Sequence, residues 1–268
     1  MTFPEHIPAT LTETAALVVA HPGHELRVFG WMESAQPVVF VLTDGSGSGG
    51  ETRIESTTAL LDRMSARPGS VYGRMSDRDI YAAMLSHDFS CFTRLADELA
   101  AAFVAAGVDC VAGDSIEGYN PSHDVCRLVI NTAVRIAARS CGATLAAYDF
   151  PLVEAPHLCP PELRDRARWV QLDDCALERK IQAARGYQEL ALEVERALEQ
   201  FGVDVFRTEC LRPVNDTAPY GWPFDRTPFY ETYGEQRVAA GAYDKVVRFR
   251  EHVVPLADAL WSHGARCS

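Results

Sequence analysis

The stretch Ala15-Ala-Leu-Val-Val-Ala-His-Pro-Gly-His-Glu25 joins an apolar run directly to a polar turn. The run has the length and composition of a strand buried on both faces of a parallel sheet. Pro22 suits the first position of a following helix, and His21 and His24 are three residues apart, so they share one face of a helical turn. We therefore expect a buried strand that places two imidazoles beyond its carboxyl end, where open α/β sheets bind their ligands.

Three further apolar runs have the character of buried strands, and segments with helical spacing lie between the runs. The predicted strands are Ala15–Ala20, Val38–Thr43, Val108–Gly113 and Thr144–Tyr148, and the predicted helices are His24–Met32, Thr52–Met64, Phe92–Ala106 and His123–Ser140. Strands that alternate with helices predict an α/β fold with a Rossmann-like, doubly wound and mainly parallel sheet that has helices on both faces. Residues 71–90 are ambiguous, with room for one more short strand before Asp77.

The second half of the chain carries fewer strand signals. Its two predicted helices run from Asp173 or Asp174 to about Phe201, before Gly202, and from about Tyr243 to Leu260, with an interruption at Pro255. Residues 203–241 are rich in Pro, Gly and aromatic side chains without a clear period, so we expect them to cover the domain or its site. Because there is no internal repeat or low-complexity linker, we predict a single domain over residues 1–268, with a core at about 12–200 and a C-terminal covering segment and helix at 201–268.

The composition narrows the classes of partner. The 268 residues carry a formal net charge of −12, and the basic residues are scattered, which argues against a nucleic-acid partner. No apolar run approaches the roughly 18 residues of a membrane helix, and the chain begins without a signal-peptide pattern, so we expect a cytoplasmic protein that binds a small-molecule substrate. Whether the chain forms a homo-oligomer is left open by the composition.

The eight cysteines include no Cys-x-x-Cys motif, and we expect most of them, including Cys110, Cys126 and Cys141, to be reduced residues of the core.

A third histidine is expected at the same end of the sheet. The strand Val108–Gly113 runs into a polar loop, and His123 follows that loop at the start of the next predicted helix. Three histidines that converge and leave a fourth position open are typical of catalytic zinc. Imidazole ligands also suit other divalent transition metals. The sequence therefore predicts a metal site, most simply zinc, on His21, His24 and His123.

Carboxylates on the neighbouring loops are candidates for a general base. Asp44, Asp114 and Glu117 all follow predicted strands, and loops at strand ends preferentially carry function. Each also has an ordinary structural interpretation: Asp44 as a turn residue, Asp114 as a cap at the end of a strand, and Glu117 as a solvated charge on a loop. Glu25 either orients a ligand imidazole or is a first-turn acidic residue favoured by the helix dipole.

These motifs resemble those of the PIG-L/LmbE family of zinc-dependent N-deacetylases, which act on N-acetylglucosamine-type sugars and related amides. The family has Ala-His-Pro-Asp-Asp-Glu after its first strand and His-Pro-Asp-His after a later one. The matching segments here are Ala20-His-Pro-Gly-His-Glu25 and Asn120-Pro-Ser-His123. The resemblance continues through Thr43-Asp-Gly45 and Lys180-x-x-Ala183…Tyr187-Gln188, and it covers roughly residues 12–200.

The resemblance assigns roles to residues of this chain. It implies that His21, His24 and His123 bind zinc, with His24 at the position of a family aspartate. The family's general base falls on Gly23, and a histidine that polarises the reaction intermediate falls on Asn120, whose amide can donate a hydrogen bond to an oxyanion.

The implied function is metal-dependent hydrolysis of a small amide such as an N-acetyl or N-acyl amino sugar. Gly23 and Asn120 keep two alternatives open. One is a different metal-assisted reaction, such as ester, carbamate or glycosidic cleavage or a rearrangement, and the other is a catalytically silent ligand-binding protein.

Overall fold

The computed structural model describes residues 13–47, 50–214 and 226–266, and its strands form one seven-stranded sheet. In chain order the strands are β1 (Ala15–Val19), β2 (Val38–Thr43), β3 (Arg67–Met75), β4 (Cys110–Asp114), β5 (Ala146–Phe150), β6 (Arg168–Gln171) and β7 (Thr208–Pro213). Across the sheet the order is β3-β2-β1-β4-β5-β7-β6. Pairs from β3 to β5 are parallel, whereas β7 is antiparallel to both β5 and β6.

Helices cover both faces of this sheet. They are α1 (Phe29–Ala35), α2 (Ile54–Met64), α3 (Asp77–Leu85), α4 (Phe89–Ala106), α5 (Pro121–Cys141), α6 (Asp174–Arg185), α7 (Ala191–Phe201), α8 (Phe229–Ala239) and α9 (Val254–Arg266). Side chains of β1 alternate between two cores: Val18 packs in the core that contains α4, α5 and α9, and Leu17 packs in the core that contains α1 and α2. The predicted doubly wound, mainly parallel α/β fold is therefore confirmed.

The boundaries of several predicted elements were shifted. The first two strands match within one residue, β4 begins two residues and ends one residue later than predicted, and β5 lies two residues later at both ends. The predicted helix His24–Met32 is a 3₁₀ turn over His24–Val28 followed by α1. The ambiguous segment, residues 71–90, begins within β3, a nine-residue edge strand that starts at Arg67. Eight of the nine residues of β3 are exposed or partly exposed, so the strand lacks the apolar run that marks the central strands.

The two long helices predicted in the second half were wrong in their extent. α6 ends at Arg185, and a bend at Gly186 and Tyr187 separates it from α7, because Tyr187 turns inward and is 2% exposed. The last helix begins with a π-helical turn at Phe249 and continues as α9 from Val254. Pro255 is the second residue of α9, directly after the π-helical turn, and the helix continues past it to Arg266, so it is not interrupted at the proline.

The segment expected to cover the domain contributes a strand to the sheet. β7 lies between β5 and β6, and α8 follows it; residues 215–225 of the segment lie outside the described residues. β7 was missed because Glu209 interrupts its apolar pattern, although this residue is buried beside Lys180. The organisation as a single domain stays a prediction.

The cysteine prediction was correct in part. Cys110 and Cys126 are buried in the two main cores. Cys141 is exposed, because it is the last residue of α5 and lies past the part of the helix that packs on the sheet. None of the helices in the described part of the chain combines the length and the apolar character needed to cross a membrane.

Candidate metal centre

Three histidine rings meet at the carboxyl ends of the adjacent strands β1 and β4. His21 and His24 lie in the turn after β1, and His123 lies in the first turn of α5, which follows β4. The ring centroids are 5.2 Å apart for His21 and His24, 5.1 Å for His21 and His123, and 4.5 Å for His24 and His123. The structure thus brings together all three residues predicted as ligands.

The spacing of these three rings is that of imidazoles that share one metal ion. With zinc–nitrogen bonds of about 2.0–2.1 Å and tetrahedral angles, the centroids of imidazoles that share one ion lie roughly 5 Å apart. Nε2 of His21 and Nδ1 of His123 are buried and have no hydrogen-bond partner among the described residues, which is uncommon without a ligand. Among the described residues, no group of three or more His, Cys, Asp or Glu side chains has donor atoms in positions that would hold a metal ion. The fit therefore rests on ring spacing and unpaired nitrogens.

The surroundings favour neutral imidazoles, the form that binds a metal. Burial lowers the pKa of His24 although Asp114 opposes the shift, and burial with the two neighbouring rings lowers the pKa of His123 well below its ordinary value. The hydroxyl of Thr43 donates to the carbonyl oxygen of Ala20 at 3.0 Å and so accepts from Nδ1–H of His21 at 2.8 Å. This partner places the lone pair of His21 on Nε2.

Two carboxylates, of which Asp114 is buried and Asp77 is partly exposed, contact two of the rings. Nδ1 of His24 is 3.0 Å from Oδ2 of Asp114, which also accepts the N–H of Ala20 at 2.8 Å. Nδ1 of His21 is 2.9 Å from Oδ1 of Asp77. Burial opposes ionisation of Asp77, but its contact with His21 holds its pKa well below the usual range. A carboxylate behind a ligand imidazole is the common second partner of histidines in metal sites.

Asp77 was not among the residues predicted from the sequence. It is the first residue of α3, which begins directly after β3 at the same edge of the sheet as the histidines. A reciprocal capping box of Ser76 and Asp79 marks this helix start. This capping box could have predicted the start of α3 from the sequence. It places Asp77 near the histidines only if the residues before it are known to form a strand of the same sheet.

The three predicted base candidates have different surroundings. Asp114 contacts His24, and both of its oxygens have partners. Asp44 accepts the N–H of Ser46 at 2.9 Å in a turn. Glu117 accepts the N–H groups of Leu152 and Val153, and burial raises its pKa. The carboxylates of Asp44 and Glu117 thus accept hydrogen bonds from backbone N–H groups, whereas the carboxylate of Asp114 contacts a ring of the histidine cluster.

Asn120 lies at the entrance to α5. Its Oδ1 accepts the N–H of Ser122 at 2.9 Å and so caps the helix that carries His123. The hydroxyl of Tyr81 also donates to this oxygen, at 3.4 Å. The amide Nδ2 of Asn120 has no partner among the described residues, so it can donate to a ligand near the histidines.

Gly23 and Glu25 form a buried turn that the sequence interpretation did not anticipate. Gly23 has φ +104°, and a Cβ at this position would lie 2.2 Å from Cδ1 of Leu190. Its N–H donates to Oε2 of Glu25 at 2.7 Å, and the hydroxyl of Thr57 donates to Oε1 at 2.9 Å. Burial raises the pKa of Glu25 to about 7. Glu25 therefore holds the backbone of the His21–His24 turn and does not contact a ring.

Comparisons with known proteins add a fold likeness. No family model and no curated protein matches the chain. The A40926 pseudoaglycone deacetylase Dbv21 has 19% identity and a TM-score of 0.49, with 76% of this chain and 98% of that chain covered. The zinc-inhibited form of the teicoplanin deacetylase Orf2 has 14% identity and a TM-score of 0.47, with 76% and 100% covered.

The conserved protein TT1542 from Thermus thermophilus has 15% identity and a TM-score of 0.49, with 80% of this chain and 99% of that chain covered. Because the identities are below 20% and the TM-scores below 0.5, the case for a function rests on the residues of the chain itself.

Proposed function

We propose that this protein is a zinc-dependent hydrolase of a small amide, most simply an N-acetyl or N-acyl amino sugar. The supporting observation is the cluster of His21, His24 and His123 at the carboxyl ends of two parallel strands, with unpaired nitrogens on two buried rings. This edge of an open α/β sheet is where such folds bind their ligands. The proposed reaction class is that of the deacetylases named above.

Each residue near the cluster has a distinct task in this proposal. The three imidazoles hold the cation, while Asp114 and Asp77 keep two of the rings in orientation. When bound, zinc held by neutral ligands polarises an amide carbonyl and lowers the pKa of water toward neutrality. The Nδ2 group of Asn120 donates a hydrogen bond to the amide oxygen as negative charge develops on it.

The carboxylates that surround the turn do not supply an obvious base. Asp114 and Glu25 use their oxygens for a ring or for backbone and hydroxyl donors, and Gly23 stands where the related family has its base. We therefore expect hydrolysis to depend on the cation more than on a carboxylate. The same observation favours a second candidate, a protein that binds a sugar-like ligand without turning it over.

Metal analysis combined with turnover tests both candidates. Protein purified without added metal is analysed for its elements and then assayed on a panel of N-acyl amino sugars with zinc present. We expect about one bound ion per chain, and loss of that ion in His21→Ala, His24→Ala and His123→Ala. His157→Ala is the matched control, because His157 is exposed and outside the cluster.

The possible results separate the proposals. Unchanged metal content in the three cluster variants contradicts the metal site and with it the proposed hydrolase. Bound metal with tight ligand binding and no turnover of any amide supports the binding protein instead.

A further inference from the structure

Three exposed aromatic rings form a continuous stack close to the histidine cluster. Tyr119 and Phe229 have centroids 5.0 Å apart and planes 6° from parallel, and Phe229 and Tyr233 have centroids 5.9 Å apart at 22°. The three residues are 47%, 51% and 42% exposed. They account for three of the eight large apolar side chains exposed in the described part of the chain, so the exposed apolar surface is concentrated here. Such a concentration is typical of a binding surface.

One ring of the stack, Tyr119, lies in the loop that leads to His123, and the other two lie on α8. Tyr119 directly precedes Asn120, the cap of α5, and lies four residues before His123. The N–H of Tyr230 donates to the carbonyl oxygen of Gly118 at 3.3 Å and so joins the start of α8 to this loop. From the helical rise and one further Cα–Cα step, the Cα atoms of Tyr119 and His123 are within about 10 Å. A ligand held at the histidines can therefore reach the stack.

The chemistry of the stack selects an apolar ligand group. Phe229, the middle ring, has no polar atom, and flat aromatic surface gains free energy when apolar groups displace water from it. In an N-acyl amino sugar, the sugar is rich in hydroxyls, and the acyl chain is the apolar extension. Over a span of about 10 Å, the upper bound set by the Cα atoms of Tyr119 and His123, an acetyl group is too short, whereas a straight chain of roughly six to ten carbons is long enough.

We propose that Tyr119, Phe229 and Tyr233 form an acyl-chain subsite that makes the protein prefer amides with medium-length acyl chains over acetamides. This inference rests on the proposed function for the position of the amide, which must lie at the histidine cluster. The inference extends the proposed function by naming the class of substrate, amides with an apolar acyl chain, and the surface that binds this chain.

The test is a series of N-acyl glucosamines with acetyl, butanoyl, hexanoyl and octanoyl groups. On zinc-loaded wild-type protein we expect kcat/KM to rise with chain length, by up to roughly fourfold per methylene where the chain is fully buried. Phe229→Ala is expected to flatten this dependence, so that the ratio of kcat/KM for the octanoyl compound to that for the acetyl compound falls, and Phe229→Tyr is expected to retain it. Leu192→Ala is the matched control, because Leu192 is 70% exposed on α7 and outside the stack.

Calorimetric binding of the same series keeps the two proposals distinguishable. If no compound is hydrolysed but affinity still rises with chain length and Phe229→Ala removes the rise, the subsite stands and the hydrolase proposal fails. If amides are hydrolysed with no chain-length preference, the subsite is overturned and the hydrolase stands. A uniform loss in Phe229→Ala that includes the acetyl compound also overturns it, since that result indicates a structural role.

Discussion

The turn after β1 and the first turn of α5 carry the three histidines, but they are held in different ways. In the turn, His21 contacts Asp77 and His24 contacts Asp114, and these partners come from other elements of the fold. In α5, Asn120 caps its own helix, and His123 has an Nδ1 without a partner among the described residues. The turn after β1 is therefore oriented by contacts with residues distant in sequence, whereas the first turn of α5 is positioned by the capping of its own helix.

This difference indicates how the site is organised before a ligand arrives. The rings of His21 and His24 are fixed by buried hydrogen bonds, so their orientation does not require a cation. His123 is placed by the helix alone, and a cation would supply the partner that its ring lacks. Substitutions that remove distant contacts should therefore affect the turn and leave α5 intact.

The largest expected effect comes from a buried ion pair behind the turn. Nζ of Lys180 is 2.8 Å from Oε1 of Glu209 and donates to the carbonyl oxygen of Arg27, while Glu209 accepts the N–H groups of Gly30 and Trp31 at the start of α1. Lys180→Met leaves the charge of Glu209 buried and unpaired. We expect it to lower the free energy of unfolding by about 3–5 kcal/mol, as measured by urea denaturation.

A double variant tests the cause of this loss. Lys180→Met with Glu209→Gln removes both charges and keeps an oxygen for the backbone N–H groups, so it should recover part of the stability. Hydrogen exchange in the single variant should increase at residues 24–35 and stay unchanged at residues 120–124. Equal increases in both regions would contradict the separation between the turn and α5.

A smaller effect is expected from the carboxylate behind His24. Asp114→Asn keeps an acceptor for the N–H of Ala20 but removes the charge beside the ring, so we expect zinc affinity to fall 10–100-fold by chelator competition, as is typical of such partners. Asp124→Asn is the matched control in α5, because Asp124 accepts hydrogen bonds from the backbone N–H groups of Glu117 and Gly118 and none from an imidazole ring. Its effect on affinity should stay within about twofold. Similar losses in both variants would remove the contrast.

An aspartate at Gly23, where the PIG-L/LmbE family that the motifs resemble has its base, is expected to disturb the turn. Gly23→Asp forces a side chain onto φ +104° and toward Leu190, so we expect a loss of stability of about 1–3 kcal/mol and no gain in amide hydrolysis. Adding Leu190→Ala relieves the steric clash and leaves the backbone strain. A rise in hydrolysis for the Asp variant would show that the carboxylate reaches the reacting atoms after all.

The smallest effect concerns Glu117, in the loop before α5. Burial raises its pKa, so the folded state holds this proton more tightly than the unfolded state. The contribution of Glu117 to stability is therefore favourable at low pH and is lost as pH rises through the raised pKa. Relative to wild type, Glu117→Gln should therefore gain stability in denaturant titrations as the pH rises from the ordinary pKa of a glutamate through the raised pKa of Glu117. A difference that stays constant with pH would contradict this assignment.

The sequence alone was sufficient for features that depend on local pattern. The apolar run before His21 predicted β1, because a strand buried on both faces must be apolar throughout. The spacing of His21 and His24, with His123 at a helix start after a second strand, predicted that the three rings would share one edge of the sheet. Local patterns failed where burial is compensated by a distant partner, as for Glu209 in β7.

Only the tertiary structure decided which groups surround the histidines. Asp114 is 90 positions from His24, and the two meet because β1 and β4 are adjacent in the sheet. Asp77 reaches His21 because the edge strand β3 ends at the same side. Glu25 turned to the backbone of Gly23 and to Thr57 instead of a ring. The sequence determines which side chains can bind a cation, but strand order and burial determine their partners, because hydrogen bonds between distant segments form only after the sheet is assembled.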